Sequence, residues 1–368
     1  MIAKHTASVA FVAALAVGGT AMLDAQAGRG GPPGPPRASS GTVDRVIVHG
    51  KSLEGNLEGD SPDREVTVYL PPSYAGDQTR RYPVVYLLHG YGERDDAFTG
   101  RLAKLQEIAD RLAPAQGFSE PIIVVPNAFS LHKGSMYSNS VTTGDWESFI
   151  AQDLVAYVDS HYRTLAKRMS RGLAGHSMGG YGALRIGMKR PDVFSSLYIM
   201  SACCLTANSN PNPETMKAAE AIKTREQAEE AARAPGLGPS ASLASAAAWS
   251  PNPKNPPLYL DLPVKDGKVR PDIVAKWTAN APLVMLDRYV AALQSYYAIA
   301  IDIGTKDNLI GSNRQLHEAM TRLTIPHSYE EYDGDHTNKV GERIERNLLV
   351  FFSMSLAAPA NPSSPLVQ

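Results

Sequence analysis

The chain has 368 residues, 36 Lys and Arg against 37 Asp and Glu for a formal net charge of −1 at pH 7, and 43% hydrophobic residues. That balance excludes the basic surplus on which nucleic-acid or polyanion binding rests, so no nucleic-acid partner is expected. Its two cysteines, Cys203 and Cys204, are adjacent and bridge only with strained geometry, which excludes a disulfide framework and leaves them as small residues at a strand end.

Taken in chain order, residues 1–27 read as an export signal: Lys4 and His5 open it, Ala7 to Val17 is apolar, and Ala25-Gln26-Ala27 fits cleavage after Ala27. The apolar run is too short to span a bilayer, so the expectation is a secreted or periplasmic protein without a stable membrane anchor. Residues 28–41 are Gly/Pro-rich and form a flexible leader. The folded domain covers 42–357, and 358–368 is a disordered tail.

Val43 to His49 and Arg64 to Leu70 predict two antiparallel strands. Pro83 to Leu88 is a buried-strand run, Ala97 to Ala113 carries Leu102, Leu105, Ile108 and Leu112 at helical spacing, and Ile122 to Val125 is the next strand. Asp145 can cap a helix holding Phe149, Ile150, Leu154, Val155 and Val158. Met169 to Ala174 reads as a strand, Gly180 to Met188 as a helix closed by Pro191, and Ser196 to Met200 as the sixth strand. Residues 206–290 interrupt the rhythm as an insertion, either a surface elaboration or a cap, with a helix from Asn212-Pro213 to Pro235-Gly236 that has little to bury. Tyr297 to Ile303, Ser328 to Tyr332 and a helix over Glu342 to Leu356 complete the chain. Strand and helix alternating in this way imply an α/β fold, a mostly parallel twisted sheet with helices on both faces and an insertion after the sixth strand.

Within that frame, Gly175-His176-Ser177-Met178-Gly179 matches the G-x-S-x-G elbow between a strand and a helix, which makes Ser177 a candidate nucleophile. Such a serine needs two backbone N–H groups for an oxyanion, one from Met178 and one from the loop His89-Gly90-Tyr91-Gly92, placed at Tyr91. The base must follow in chain order. His317 sits mid-helix and His327 precedes a strand, whereas His336 follows a strand in the loop Asp333-Gly334-Asp335-His336. The orienting acid is Asp307, just past the turn Gly304-Thr305-Lys306, rather than Asp302 within the strand; Asp333 and Asp335 read as turn formers. The hydroxyl-rich loop Asn127 to Gly144 suggests substrate contacts at Asn127, Tyr137 and Trp146, with His89 and Gly90 beside them; His89 itself reads as holding its loop by hydrogen bonds rather than as a proton acceptor. No phosphate, dinucleotide or metal motif appears, so neither a cofactor nor a metal is expected.

The segments VYLPPSY, VVYLLHGYGE, GHSMGGYGAL, DIGTKD and DGDH together resemble the esterase D-like family of α/β-hydrolases, which includes feruloyl esterases, S-formylglutathione hydrolases and antigen 85-type proteins. The likeness covers roughly residues 42–355 and is weakest over 206–290. It implies an α/β-hydrolase fold, Ser177 as nucleophile, Asp307 as acid, His336 as base, and Tyr91 and Met178 as oxyanion donors. The activity it implies is an exported serine carboxylic-ester hydrolase working through an acyl-enzyme on small-molecule or polysaccharide-linked esters, feruloyl, acetyl or other carbohydrate- or aryl-linked. An acyltransferase of the antigen 85 type and a non-catalytic binding module on the same scaffold are the alternatives.

Overall fold

The computed structural model describes residues 40–207 and 213–357. The signal, nearly all of the leader, Asn212 at the expected helix start and the tail lie outside the described residues. Eight strands form one sheet: β1 Thr42–His49, β2 Asp63–Leu70, β3 Val84–Leu88, β4 Ile122–Pro126, β5 Arg171–His176, β6 Ser196–Met200, β7 Ala298–Gly304 and β8 Ser328–Tyr332. Their order is β1-β2-β4-β3-β5-β6-β7-β8. β1 and β2 pair antiparallel with Thr42 opposite Leu70 and His49 opposite Asp63, β2 joins β4 antiparallel, and β4 through β8 run parallel.

The continuous apolar runs of β3, β4 and β6 follow from this placement, because a strand covered on both faces buries every side chain. Alternation then sorts them between two cores. Val84, Tyr86, Leu88, Ile122, Val124, Leu197 and Ile199 face one core, closed by α2 (Leu154–His161), α3 (Met178–Lys189) and α8 (Ile310–Arg322). Val85, Leu87, Ile123, Val125, Tyr198 and Met200 face the other, closed by α1 (Leu105–Leu112) and α9 (Leu349–Ser355).

Two local expectations are corrected. The segment from Ala97 is not helical until Leu105; Leu102 N–H donates to the Ala97 carbonyl across a wider turn, and Ala97, Phe98 and Leu102 are buried from that turn, which mimics helical spacing. Asp145 stands before the helical segment that starts at Trp146, yet its side chain makes no capping bond; Asn139 Oδ1 instead accepts the N–H groups of Glu147 (2.8 Å) and Ser148 (3.2 Å).

The insertion is helical, and the single expected helix is two: α4 Pro213–Glu220 and α5 Arg225–Arg233. They separate where Thr224 and Gln227 form a capping box. With α6 (Gly238–Trp249) and α7 (Pro271–Ala279) they build a small core from Ala219, Ala228, Leu243, Ala246, Ala247, Leu258 and Leu260, reaching Leu131 of the main body. Alanines at close approach pack beside Leu243, Leu258 and Leu260, and Met216 and Ile273 are buried as well.

Candidate active site

Parallel strands deliver their following loops to one end of the sheet, and the candidate residues follow β3, β5, β7 and β8 there. At the turn from β5 into α3, Ser177 adopts φ 58° and ψ −115°, a conformation costly for a residue with a side chain. Its neighbours explain how the turn closes. A Cβ added at Gly175 would lie 2.1 Å from the Gly179 carbonyl oxygen, and one at Gly179 would lie 2.0 Å from that of Leu88. Only glycine fits at either place.

The structure brings Ser177, His336 and Asp307 together. Ser177 Oγ–H donates to His336 Nε2 over 2.9 Å, and His336 Nδ1–H donates to Asp307 Oδ2 over 2.7 Å. With Nδ1 committed to a carboxylate, Nε2 is the free acceptor facing the serine. Asp307 is buried, which pushes its carboxyl up; the hydrogen bonds from His336 and from Leu309 N–H (2.9 Å) outweigh burial and hold it below the usual carboxylate range. The loops that carry acid and base are tied by Thr305 N–H to the Tyr332 carbonyl (2.8 Å) and Lys306 N–H to that of Gly334 (2.9 Å).

The other histidines and acids lie elsewhere. His317 and His327 bond each other over 2.9 Å, with the His317 ring stacked on Tyr329. Asp302 is buried under Arg343 (2.8 Å) and Tyr198 (2.6 Å). Asp335 Oδ1 accepts Thr337 and Asn338 N–H, and Asp333 pairs with Lys306.

In the loop after β3, Gly90 N–H donates to Glu93 Oε2 and Gly92 N–H to the Lys133 carbonyl, while among the described residues no acceptor takes the N–H of Tyr91 or Met178. Together with Ser177, Tyr91 and Met178 line one cleft. Its volume is about 660 Å³, and Tyr91, Met136, Met178, Leu237, Ala241 and Leu309 give it a largely apolar wall.

The chain matches, over residues 61–340, the family described as "Putative esterase". It belongs to that esterase family. The endo-1,4-beta-xylanase/feruloyl esterase of Xylanibacter ruminicola is 31% identical over 179 residues, 46% of this chain and 24% of that protein. Esterase Rv1288 of Mycobacterium tuberculosis is 35% identical over 136 residues, 36% of this chain and 27% of its own. The chain thus spans about a quarter of the length of these curated relatives. Among solved structures, a ferulic acid esterase superposes with a TM-score of 0.62 at 23% identity, covering 86% of this chain and 99% of the other. S-formylglutathione hydrolase from Staphylococcus aureus gives 0.56 at 18%, covering 86% and 100%. These likenesses show the α/β-hydrolase fold.

Of the substrate contacts expected from the Asn127 to Gly144 loop, Asn127, Tyr137 and Trp146 do not line this cleft. Tyr137 is fully buried and donates its hydroxyl to the His89 carbonyl, and Trp146 packs on Phe149 with its Nε1–H on the Thr143 carbonyl. Asn127 bonds Glu65 Oε2 and Phe129 N–H, beside a different surface hollow. His89 accepts Ala128 N–H at Nε2 and donates Nδ1–H to the Gly90 carbonyl; burial drives its pKa down to about 4, so it is a neutral strut. Gly90 stays near the site, its absent Cβ only 3.4 Å from Ser177 Cβ. From the loop itself, the cleft receives Met136. The hydroxyl-rich composition that suggested a binding loop serves internal hydrogen bonds.

Sequence reasoning missed His176, whose Nε2–H donates to the His336 backbone carbonyl over 2.7 Å. It also missed Lys133, which donates to the carbonyls of Ala234 (2.9 Å) and Gly236 (2.8 Å) and so fastens the insertion to the loop around Tyr91. Leu237 at the N-cap of α6, with Ala241 and Ser245 within it, lines the cleft at four-residue spacing; that spacing is visible in the sequence, the helix's neighbour is not.

Proposed function

We propose that this chain is an exported serine carboxylic-ester hydrolase acting on aryl or carbohydrate-linked esters of the feruloyl kind. The observation that carries the reading is the continuous path from Asp307 through His336 to Ser177 Oγ at the edge of an apolar cleft. In this mechanism His336 Nε2 takes the serine proton as Oγ attacks the ester carbonyl. The charge that develops on the carbonyl oxygen is met by the N–H groups of Met178 and Tyr91, and Asp307 stabilises the imidazolium. The proton then passes to the departing alcohol. Water, deprotonated by the same imidazole, releases the acid from Ser177.

Shape and kinship support the proposed substrate class. The cleft is large enough for an aryl acyl group, and its methionines and leucines suit a flat apolar ring. The printed name of the Xylanibacter relative supports a feruloyl ester. Export rests on residues 1–27, and an N-terminal sequence beginning at Gly28 in the secreted protein is the expected readout.

The test is a panel of acetyl, long-chain and feruloyl esters given to the wild type and to Ser177→Ala, with products analysed in the presence of an acceptor sugar. Free acid released only by the wild type is expected. Acyl-sugar as the main product would replace hydrolase by transferase, and activity retained in Ser177→Ala would refute the serine mechanism.

A further inference from the structure

The segment after β6 runs past the nucleophile, and its backbone is pinned on three sides. Ser201 N–H donates to the Asp302 carbonyl (2.8 Å), Cys203 N–H to the Ser177 carbonyl (3.2 Å), and Asn313 Nδ2 to the Ala202 carbonyl (2.9 Å). In extended chain, adjacent side chains would point to opposite sides. Here Cys204 sits at φ 59°, a left-handed conformation that is costly for a non-glycine residue, and both cysteines line the cleft holding Ser177. They are 2.8 Å apart, closer than ordinary non-bonded sulfur contact, and both residues are partly exposed. The proposed ester chemistry uses neither thiol.

We propose that Cys203 and Cys204 form a vicinal dithiol that is a modification site for small-molecule disulfides, closing to a Cys203–Cys204 disulfide that reshapes the cleft. A thiolate of the pair attacks one sulfur of R–S–S–R, the small disulfide's bond breaks, and R–S⁻ leaves and takes a proton. The second cysteine loses its proton and attacks the first, forming the Cys203 Sγ–Cys204 Sγ bond and expelling the other R–S⁻. Two protein thiols are oxidised and one small disulfide is reduced to two thiols.

Adjacent Cα atoms lie nearer than an ordinary disulfide prefers, so the ring is strained. The strain that disfavours a permanent bridge makes this one easily reduced, which suits a reversible modification. The hydrogen bond with Cys204, then burial, pushes the Cys203 thiol up, so this sulfur stays protonated near neutral pH and closure is slow. Because Cys203 N–H holds the carbonyl of Ser177, closure acts on the backbone beside the nucleophile as well as on the cleft wall.

The effect on turnover rests on the esterase reading; the modification itself does not, and the readouts are chosen accordingly. The full chain, reduced and then exposed to 2-hydroxyethyl disulfide, is followed by intact mass. The wild type is expected to lose two hydrogens with no retained adduct, and dithiothreitol to restore them. Cys203→Ser and Cys204→Ser should each retain one mercaptoethanol adduct, and the double variant none. A lasting adduct on the wild type, or no reaction of the native chain when the unfolded chain reacts, overturns the proposal. With the ring closed, kcat/KM for a feruloyl ester should fall at least fivefold relative to the same sample after reduction; an unchanged value with the ring closed overturns the effect on the cleft. If no ester is turned over by any sample, the mass measurement still decides the site.

Discussion

His176 and His336 are joined through a side chain and a backbone: His176 Nε2–H donates to the His336 carbonyl over 2.7 Å, with the two rings 4.7 Å apart. The residue next to the candidate nucleophile therefore fixes the height of the candidate base. Replacing it by phenylalanine keeps the ring and removes the donor. We expect His176→Phe to lower kcat about tenfold with KM little changed, the worth of one net hydrogen bond spent on geometry. Steady-state kinetics on one good ester checks this, and a change confined to KM would contradict it.

The same histidine gives a pH prediction. Burial first, and the nearby His336 second, push the His176 pKa down from 6.5 to about 3. The unfolded chain therefore binds a proton here that the folded chain refuses, and the stability due to this site is complete above pH 6.5 and is lost as pH falls toward 3. His176→Phe lacks that loss. The stability gap between wild type and variant should narrow by roughly 2–3 kcal/mol between pH 7.5 and pH 4.5, measured by urea unfolding. A gap that stays constant, or widens in acid, would show that His176 is not buried in its neutral form.

Asp302 and Asp307 differ by five positions and, in this account, by role. Asp302, within β7, is locked to Arg343 and Tyr198. Asp302→Asn should cost roughly 3 kcal/mol, seen as a lower Tm, while kcat of the folded protein is kept within a few-fold. Asp307→Asn should do the reverse, lowering kcat by about 10⁴ with a modest change in Tm. Paired kinetics and thermal melts decide, and exchanged phenotypes would move the acid to Asp302.

Lys133 ties the insertion to the Tyr91 loop through the carbonyls of Ala234 and Gly236, immediately before Leu237 on the cleft wall. Lys133→Met should raise KM for feruloyl esters by about fivefold, near 1 kcal/mol of lost positioning, while acetyl-ester kcat stays within twofold. Equal losses on both substrates would mean that the insertion does not form the acyl wall.

Much of this was legible in the sequence, for identifiable reasons. The runs Val84–Leu88, Ile122–Pro126 and Ser196–Met200 read as buried strands because a two-sided sheet allows no polar alternation, and the glycines around Ser177 read as an elbow because the turn admits no Cβ. His336 and Asp307 could be selected by their places after strands. What stayed hidden depends on distant partners: Tyr137 looks like a binding aromatic until its hydroxyl is found on the His89 carbonyl, and the 206–290 insertion reads as either surface elaboration or cap until its α6 is found beside the cleft and its core reaches Leu131. Composition marks a loop as polar without revealing whether its hydroxyls point outward or hold the loop together.

The proposed mechanism stands or falls on a covalent acyl intermediate on Ser177, which rapid quenching can capture. Wild type mixed with an aryl ester and quenched within milliseconds should carry one acyl group, mapped by peptide mass to Ser177, with a burst of alcohol equal to the enzyme concentration. Ser177→Ala should show neither. An adduct on another residue, or ester hydrolysis undiminished in Ser177→Ala, would contradict the account.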